Sequence, residues 1–136
     1  MTTMTPEMVL GIRKGNGSGE QIRKGLPYKS LLQFREQIGI STKEMSDIFD
    51  MPSRTILRRK EVGKLTKEES NGLFRAARVF AETVDFFEGD AGAAREWMRD
   101  KVPALGYRRP IDMLDTDADA QAVIKTLARL SEGIVT

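Results

Sequence analysis

The sequence contains neither cysteine nor histidine. Without cysteine there is no disulfide and no thiolate metal site, and without histidine the common zinc sites and serine–histidine triads are excluded as well. A hydrolytic enzyme would have to rely on paired carboxylates, and the chain shows no convergent acidic pair at helical spacing. We therefore expect a protein that is not an enzyme, with no catalytic residue, no metal site and no cofactor.

Long apolar runs are also missing, since no segment approaches the roughly 18 residues that a membrane span needs. The N-terminus, Met-Thr-Thr-Met-Thr-Pro-Glu, lacks the basic and apolar regions of a signal peptide. These two absences predict a cytoplasmic protein. The 136 residues, of which 40% are apolar and 31% charged, suit one domain or two small domains that share a core.

Charge is distributed unevenly along the chain. Residues 1–70 carry 13 Lys/Arg against 9 Asp/Glu, a net charge of +4, whereas residues 71–136 carry 9 against 11, a net charge of −2. The steepest stretch is 53–67, where six basic residues face only Glu61. A basic patch on a nearly neutral protein indicates local contact with phosphates, although a solvated helix face is the plainer interpretation.

Apolar residues recur at spacings of three and four, and no period-two run suggests a strand, so the sequence predicts an all-α fold. Residues 15–19, rich in glycine, are interpreted as a linker after a short helix from Pro6 to about Arg13. Capping-box patterns begin at Ser41 and Thr66. Further helices are expected from Tyr28 to Gly39, from Ser53 to Glu61, from Thr66 to about Phe87, after Asp90, around Pro110 and after Thr116, with a loop over 103–107.

Two short helices between Ser41 and Gly63, joined by a turn of three or four residues, have the dimensions of a helix-turn-helix. Met45, Ile48 and Phe49 of the first helix are expected to pack against Ile56 of the second, basic helix. The opposite face of that second helix is predicted to read base edges with Ser53, Arg54, Leu57 and Arg58, while phosphate contacts are expected from Thr55, Arg59, Lys60 and Lys64.

Three stretches, 22–41, 54–116 and 127–135, resemble the Xre/MbcA/ParS antitoxins. The similarity rests on the ordered patterns R-R-K-x-x-G-x-L-T/S-x-E-E-S at 58–70, P-A-L-G-x-R-x-P-x-x-L/M-L at 103–114 and L-x-R-x-x-x-G-I/V at 127–134. Antitoxins of this kind combine an Xre-type helix-turn-helix with a C-terminal toxin-binding domain. The resemblance implies a homodimer that represses its own operon and neutralises a RES-type, NAD-consuming toxin by covering its active-site cleft.

The resemblance also implies which C-terminal residues meet the toxin. The positions that match the family pattern are Pro103, Leu105, Gly106, Arg108, Pro110, Leu114, Arg129, Gly133, Ile134 and Val135. The toxin contacts predicted on this basis are Tyr107, Arg108, Arg129, Glu132, Gly133, Ile134, Val135 and Thr136. We accordingly expect an N-terminal segment over 1–27 that is flexible or dimer-forming, a helix-turn-helix domain over 28–88 and a toxin-binding domain over 89–136.

The chain departs from the family pattern at a few positions. Asp50 stands where the turn usually has glycine, and Asp tolerates a left-handed backbone better than most residues. Pro52 replaces the usual serine cap, and Ser131 and Glu132 replace a more common glutamate and histidine. A repressor that has no toxin partner is the alternative interpretation of the same pattern.

Overall fold

A computed structural model of the chain describes residues 3–13 and 17–133, and over these residues it confirms the all-α class. Strand-like pairing in this part of the chain is limited to two isolated bridges, Pro27 with Lys64 and Val102 with Arg108. The α-helices are α1 (Pro6–Leu10), α2 (Ser18–Lys24), α3 (Tyr28–Ile38), α4 (Thr42–Ile48), α5 (Ser53–Val62), α6 (Lys67–Phe86), α7 (Ala91–Arg99) and α8 (Asp117–Ser131), and short 3-10 helices cover Pro103–Leu105 and Pro110–Met113.

Helix α6 is the centre of the fold. Its 20 residues begin with the predicted capping box, in which the Thr66 hydroxyl accepts from the Glu69 amide at 3.1 Å and the Glu69 carboxylate accepts from the Thr66 amide at 2.8 Å. Helices α1, α2, α3, α7 and α8 all pack on it, so that Leu73 and Phe80 are completely enclosed. Each such side chain contributes about 1.5–3 kcal/mol through burial, so the buried side chains of α6 contribute substantially to stability.

The N-terminal part differs from the prediction in two ways. The first helix ends at Leu10 rather than near Arg13, because Gly11 adopts a left-handed conformation with φ 65°. The expected linker over 15–19 is shorter than predicted, since α2 already begins at Ser18; residues 15 and 16 lie outside the described part of the chain. Packing of Ile22 against the core outweighs the poor helix propensity of the nearby glycines.

Helix α1 buries Val9 and Leu10 against the same core as the rest of the chain. The Met4 amide donates to Asp85 Oδ1 at 2.8 Å, which ties the chain before α1 to the end of α6. The division into a separate segment over 1–27 stays a prediction, but the described residues of that segment are integrated into the fold.

The C-terminal part confirms the predicted helix starts at Asp90 and Thr116, whose side chains accept hydrogen bonds from the amides of Ala93 and Asp119. The loop expected over 103–107 is instead a 3-10 turn, because Leu105 is drawn into the core and the chain tightens around it. No helix in the described residues is long and apolar enough to cross a membrane.

Two arginines of α7 connect this C-terminal part to the helix-turn-helix. Arg95 Nε donates to the Gln37 carbonyl at 2.8 Å, and Arg99 donates to the Gly39 carbonyl at 3.0 Å and to Glu44 at 2.9 Å. Both carbonyls lie at the C-terminal end of α3, where backbone oxygens lack partners within the helix. The α7 arginines therefore fix the position of α4 relative to the C-terminal helices.

Candidate functional site

Helices α4 and α5 form the predicted helix-turn-helix. The capping box at Ser41 is present, with reciprocal Ser41–Glu44 hydrogen bonds of 3.1 Å each. In the turn Asp50 adopts the left-handed conformation, with φ 48°, at the position where related sequences usually have glycine. Ser46 Oγ donates to the Met51 carbonyl at 2.6 Å. Because Met51 is buried, this turn is anchored at both ends and sets the angle between α4 and α5.

The two sides of α5 differ as predicted. Ile56 is 7% exposed and belongs to the core, together with Met45 of α4, whereas Leu57 is 55% exposed. Arg54 and Arg58 are exposed, and within the described residues neither forms a hydrogen bond or an ion pair. The structure also exposes Ser53, Lys60 and Lys64 and leaves Thr55 half-buried. We call the surface formed by Ser53, Arg54, Leu57 and Arg58 the recognition face.

Arg59 lies on the inner side of α5, in a different setting from the other predicted phosphate contacts. Its Nε donates to Glu69 Oε1 at 2.7 Å, and only 19% of the side chain is exposed. Burial opposes ionisation of Glu69, yet the hydrogen bonds from Arg59 and from the Thr66 amide outweigh it and lower the Glu69 pKa. Arg59 thus joins α5 to the capping box of α6; its predicted phosphate contact remains a prediction.

The second predicted surface begins with the turn over 102–108. The Tyr107 amide donates to the Val102 carbonyl at 3.0 Å, and the Val102 amide donates to the Arg108 carbonyl at 3.1 Å. These bonds hold Tyr107 at φ 62° with 68% of its surface exposed. Arg108 makes two hydrogen bonds, 3.2 and 3.0 Å long, to the Asp119 carboxylate at the start of α8. The turn is therefore rigid, and it presents an aromatic side chain to solvent.

Several positions that match the family pattern, in this turn and just after it, contribute to packing rather than to the surface. Leu105, Pro110 and Leu114 are buried, whereas Pro103 and Gly106 are exposed on its outer side. Sequence reasoning named Tyr107 and Arg108 but missed Asp119 as the partner of Arg108. An acidic residue in the first turn of α8 was the available signal, although it indicated only helix capping.

Of the remaining predicted toxin contacts, those that the structure describes lie at the opposite end of α8. Arg129, Glu132 and Gly133 are exposed there, while Ile134, Val135 and Thr136 lie outside the described residues. Ten residues separate Asp119 from Arg129, which corresponds to about 15 Å along a helix axis. The structure therefore does not bring Tyr107 and Arg108 together with Arg129 into one compact cluster; a partner that contacts both groups must extend along α8.

The two surfaces are defined by the chemical groups that they expose. Among residues 3–13 and 17–133 there is no group of three or more acidic side chains placed to hold a metal ion. The exposed side chains of the two surfaces carry guanidinium, ammonium, hydroxyl, carboxylate, aromatic and aliphatic groups, which bind partners through charge, hydrogen bonds and apolar contact. The geometry defines the class: a helix-turn-helix protein with a second, C-terminal binding surface.

Comparison with known proteins agrees with this class. Residues 19–78 match the antitoxin Xre-like helix-turn-helix domain, and residues 83–133 match the antitoxin Xre/MbcA/ParS C-terminal toxin-binding domain. Antitoxin Xre of Yersinia enterocolitica serotype O:8 is 31% identical over 129 residues, which cover 94% of this chain and 87% of the relative. The chain belongs to the Xre antitoxin family.

Two further relatives share parts of the sequence. Antitoxin Xre of Photorhabdus laumondii is 41% identical over 73 residues, 54% of this chain and 49% of the relative. The Prs ADP-ribosylating antitoxin of Sphingobium sp. strain YBL2 is 28% identical over 121 residues, 82% of this chain and 76% of the relative. The protein is thus an antitoxin of a toxin–antitoxin system, a regulatory binding protein rather than an enzyme.

Proposed function

We propose that this antitoxin neutralises a RES-type, NAD-consuming toxin by covering its active site, and that as a homodimer it represses its own operon by binding operator DNA. The observation that carries the DNA-binding half is the recognition face, where two arginines without partners in the described chain flank an exposed leucine. The toxin-binding half is supported by the match of residues 83–133 to the toxin-binding domain. Both activities would take place in the cytoplasm.

On the DNA, α5 enters the major groove with its N-terminal half against the base edges. Arg54 and Arg58 each suit bidentate donation to guanine, Ser53 suits a small polar contact, and Leu57 suits a thymine methyl group. Thr55, Lys60 and Lys64 lie on the flanks, where phosphates pass. In a homodimer the two recognition helices contact half-sites about 34 Å apart, one turn of the duplex.

On the toxin, the contact surface runs along α8 from the turn at Tyr107 and Arg108 to Arg129, Glu132 and the last residues of the chain. Tyr107 is a rigid aromatic anchor of the kind that carries much of the energy at protein interfaces. We assign toxin binding to residues 89–136 and DNA binding to residues 28–88. The RES type of the toxin and its use of NAD follow from the family resemblance.

The test uses the full chain and the toxin encoded beside its gene. NAD consumption by the purified toxin is measured with and without the antitoxin, and we expect it to fall to background at equimolar concentration. An Arg54→Ala/Arg58→Ala variant is the matched control: it should lose operator binding but still silence the toxin. If NAD consumption is unchanged by the wild-type chain while operator binding is intact, the protein is a repressor without this toxin partner.

A further inference from the structure

A groove of about 280 Å³ opens at the C-terminal end of α5. Three lysines from separate parts of the chain line it: Lys24 at the end of α2, Lys64 in the link between α5 and α6, and Lys67 at the start of α6. All three are exposed. We call the surface formed by these three residues the basic groove. Lys24 and Lys67 were not among the residues that the sequence assigned to DNA.

Backbone pairing keeps these lysines side by side. The Leu65 amide donates to the Leu26 carbonyl at 2.8 Å, and the Tyr28 amide donates to the Gly63 carbonyl at 2.9 Å. Gly25 has φ 93°, and a Cβ atom built there would collide with the Leu65 carbonyl oxygen. No other residue fits this position, so the segment that follows Lys24 is fixed against the one that follows Lys64.

The charges around the basic groove leave it positive. Lys24 forms a solvent-exposed pair with Glu20 at 3.6 Å, a contact of little energetic weight. Arg59 also lines the groove, but its charge is balanced by Glu69. In the described part of the chain Lys64 and Lys67 have no ion-pair partner, although the exposed carboxylates of Glu61 and Glu68 lie near them in sequence.

The basic groove continues the recognition face. Val62 is 63% exposed and lines the groove, and it follows Arg58 by four residues and Arg54 by eight. Residues four apart on a helix lie on the same side. The side of α5 that carries the two free arginines therefore leads directly into the lysines of α2 and α6.

We propose that the basic groove binds the phosphate backbone of duplex DNA beside the major groove that α5 enters. Lysine ammonium groups are mobile point charges suited to phosphate contact without base specificity. The proposal rests on the DNA-binding half of the proposed function and extends it to α2, which lies outside the predicted helix-turn-helix domain. It makes the N-terminal segment part of the DNA interface.

The test is the salt dependence of binding to a duplex of mixed sequence, measured by fluorescence anisotropy for the full chain and for Lys24→Gln/Lys67→Gln. Each phosphate contact contributes about 0.9 to the slope of log affinity against log salt. The double variant should therefore lower the slope by about 1.8 for each protomer bound to the duplex and weaken binding equally for all sequences. The matched control, Lys101→Gln/Lys125→Gln, removes the same charge from exposed positions elsewhere and should leave the slope unchanged.

The outcomes separate this inference from the function on which it rests. A wild-type chain that binds no duplex overturns both. Duplex binding with an unchanged slope in the double variant overturns the basic groove alone, and so does an equal loss in the control, which would indicate total charge rather than position. If the double variant keeps its slope but weakens toxin neutralisation, the groove belongs to a protein interface. Unfolding curves of all variants should coincide, because these lysines are exposed.

Discussion

Two arginines of α5 differ from three arginines of the C-terminal part in whether they have a partner. Arg54 and Arg58 are exposed with no partner among the described residues, whereas Arg99, Arg108 and Arg109 each form hydrogen bonds to a carboxylate. A free guanidinium is available for guanine or phosphate, but a paired one would have to give up an existing bond first. The comparison supports the proposal that Arg54 and Arg58 serve recognition, whereas Arg99, Arg108 and Arg109 hold elements in position, as Arg59 does within α5.

The largest effect is a loss of operator affinity, which is expected when the two unpaired arginines of α5 are removed. Arg54→Ala/Arg58→Ala should weaken operator binding by about 2–6 kcal/mol for each bound protomer, because each bidentate contact with guanine is worth about 1–3 kcal/mol. Kd is measured at fixed salt, and thermal unfolding should show stability within about 0.5 kcal/mol of wild type. A large loss of stability instead would mean that these side chains hold the fold together.

The next largest effect is a loss of stability, which is expected for a variant at Arg59 but not for one at the neighbouring Arg58. Arg59→Gln should lower the free energy of unfolding by about 1–2 kcal/mol, since it removes a charged hydrogen bond to Glu69. Arg58→Gln is the matched control, with an unchanged free energy of unfolding and weaker DNA binding. Denaturant titration of both variants measures the difference. Equal stability of the two variants would show that the hydrogen bond from Arg59 to Glu69 contributes nothing to the free energy of unfolding.

A smaller effect is expected at Tyr107, where two variants test the left-handed backbone and the aromatic ring separately. Tyr107→Gly should raise the free energy of unfolding relative to Tyr107→Ala by about 1 kcal/mol, because glycine adopts φ 62° without strain. Both variants should bind the toxin more weakly than wild type, as they lack the aromatic ring. Calorimetric titration with the toxin supplies the second measurement, and unchanged affinity in both would remove Tyr107 from the interface.

The smallest effect is the contribution of the Glu44 carboxylate to the free energy of unfolding, which should depend on pH. A side-chain hydrogen bond from Arg99, followed by one from the Ser41 amide, lowers the pKa of Glu44 from 4.5 to about 2. A lowered pKa in the folded state adds stability above the unfolded pKa, and that stability is lost as pH falls from 4.5 towards 2. The carboxylate is partly exposed, so screening keeps the contribution below about 1 kcal/mol.

To check this pH dependence, the free energy of unfolding of Glu44→Gln and of wild type is measured over a range of pH. The difference in stability should be constant near neutral pH and should shrink below pH 4.5. Glu36→Gln, which changes an exposed glutamate of α3, should show no such convergence. A difference that persists at pH 2 would attribute the loss to packing rather than to the carboxylate charge.

The sequence predicted the features that depend on neighbouring residues. Both capping boxes, the turn at Asp50 and the contrast between buried Ile56 and exposed Leu57 follow from spacings of a few residues, and the structure has all of them. The recognition face could therefore be predicted from the sequence alone. Its contacts with DNA remain predictions.

Contacts between distant residues could not be predicted in this way. The pairs formed by Arg99 with Glu44 and by Arg108 with Asp119 depend on how α7 and the 102–108 turn pack, which no local pattern encodes. Helix α2 was missed for a related reason, because its glycines disfavour a helix that the core nevertheless stabilises. The basic groove could not be predicted either, because it forms only where α2, the link after α5 and the start of α6 come together.

The position of α6 limits how this protein can be divided. The stretches that match the two domain families leave residues 79–82 between them, and Val79, Phe80 and Ala81 in that interval are fully enclosed. A fragment cut there would expose the middle of a helix on which elements from both halves rest. Because helices from both halves pack on α6, we expect neither half to fold alone, and loss of either one to proteolysis should abolish the proposed repression and neutralisation together.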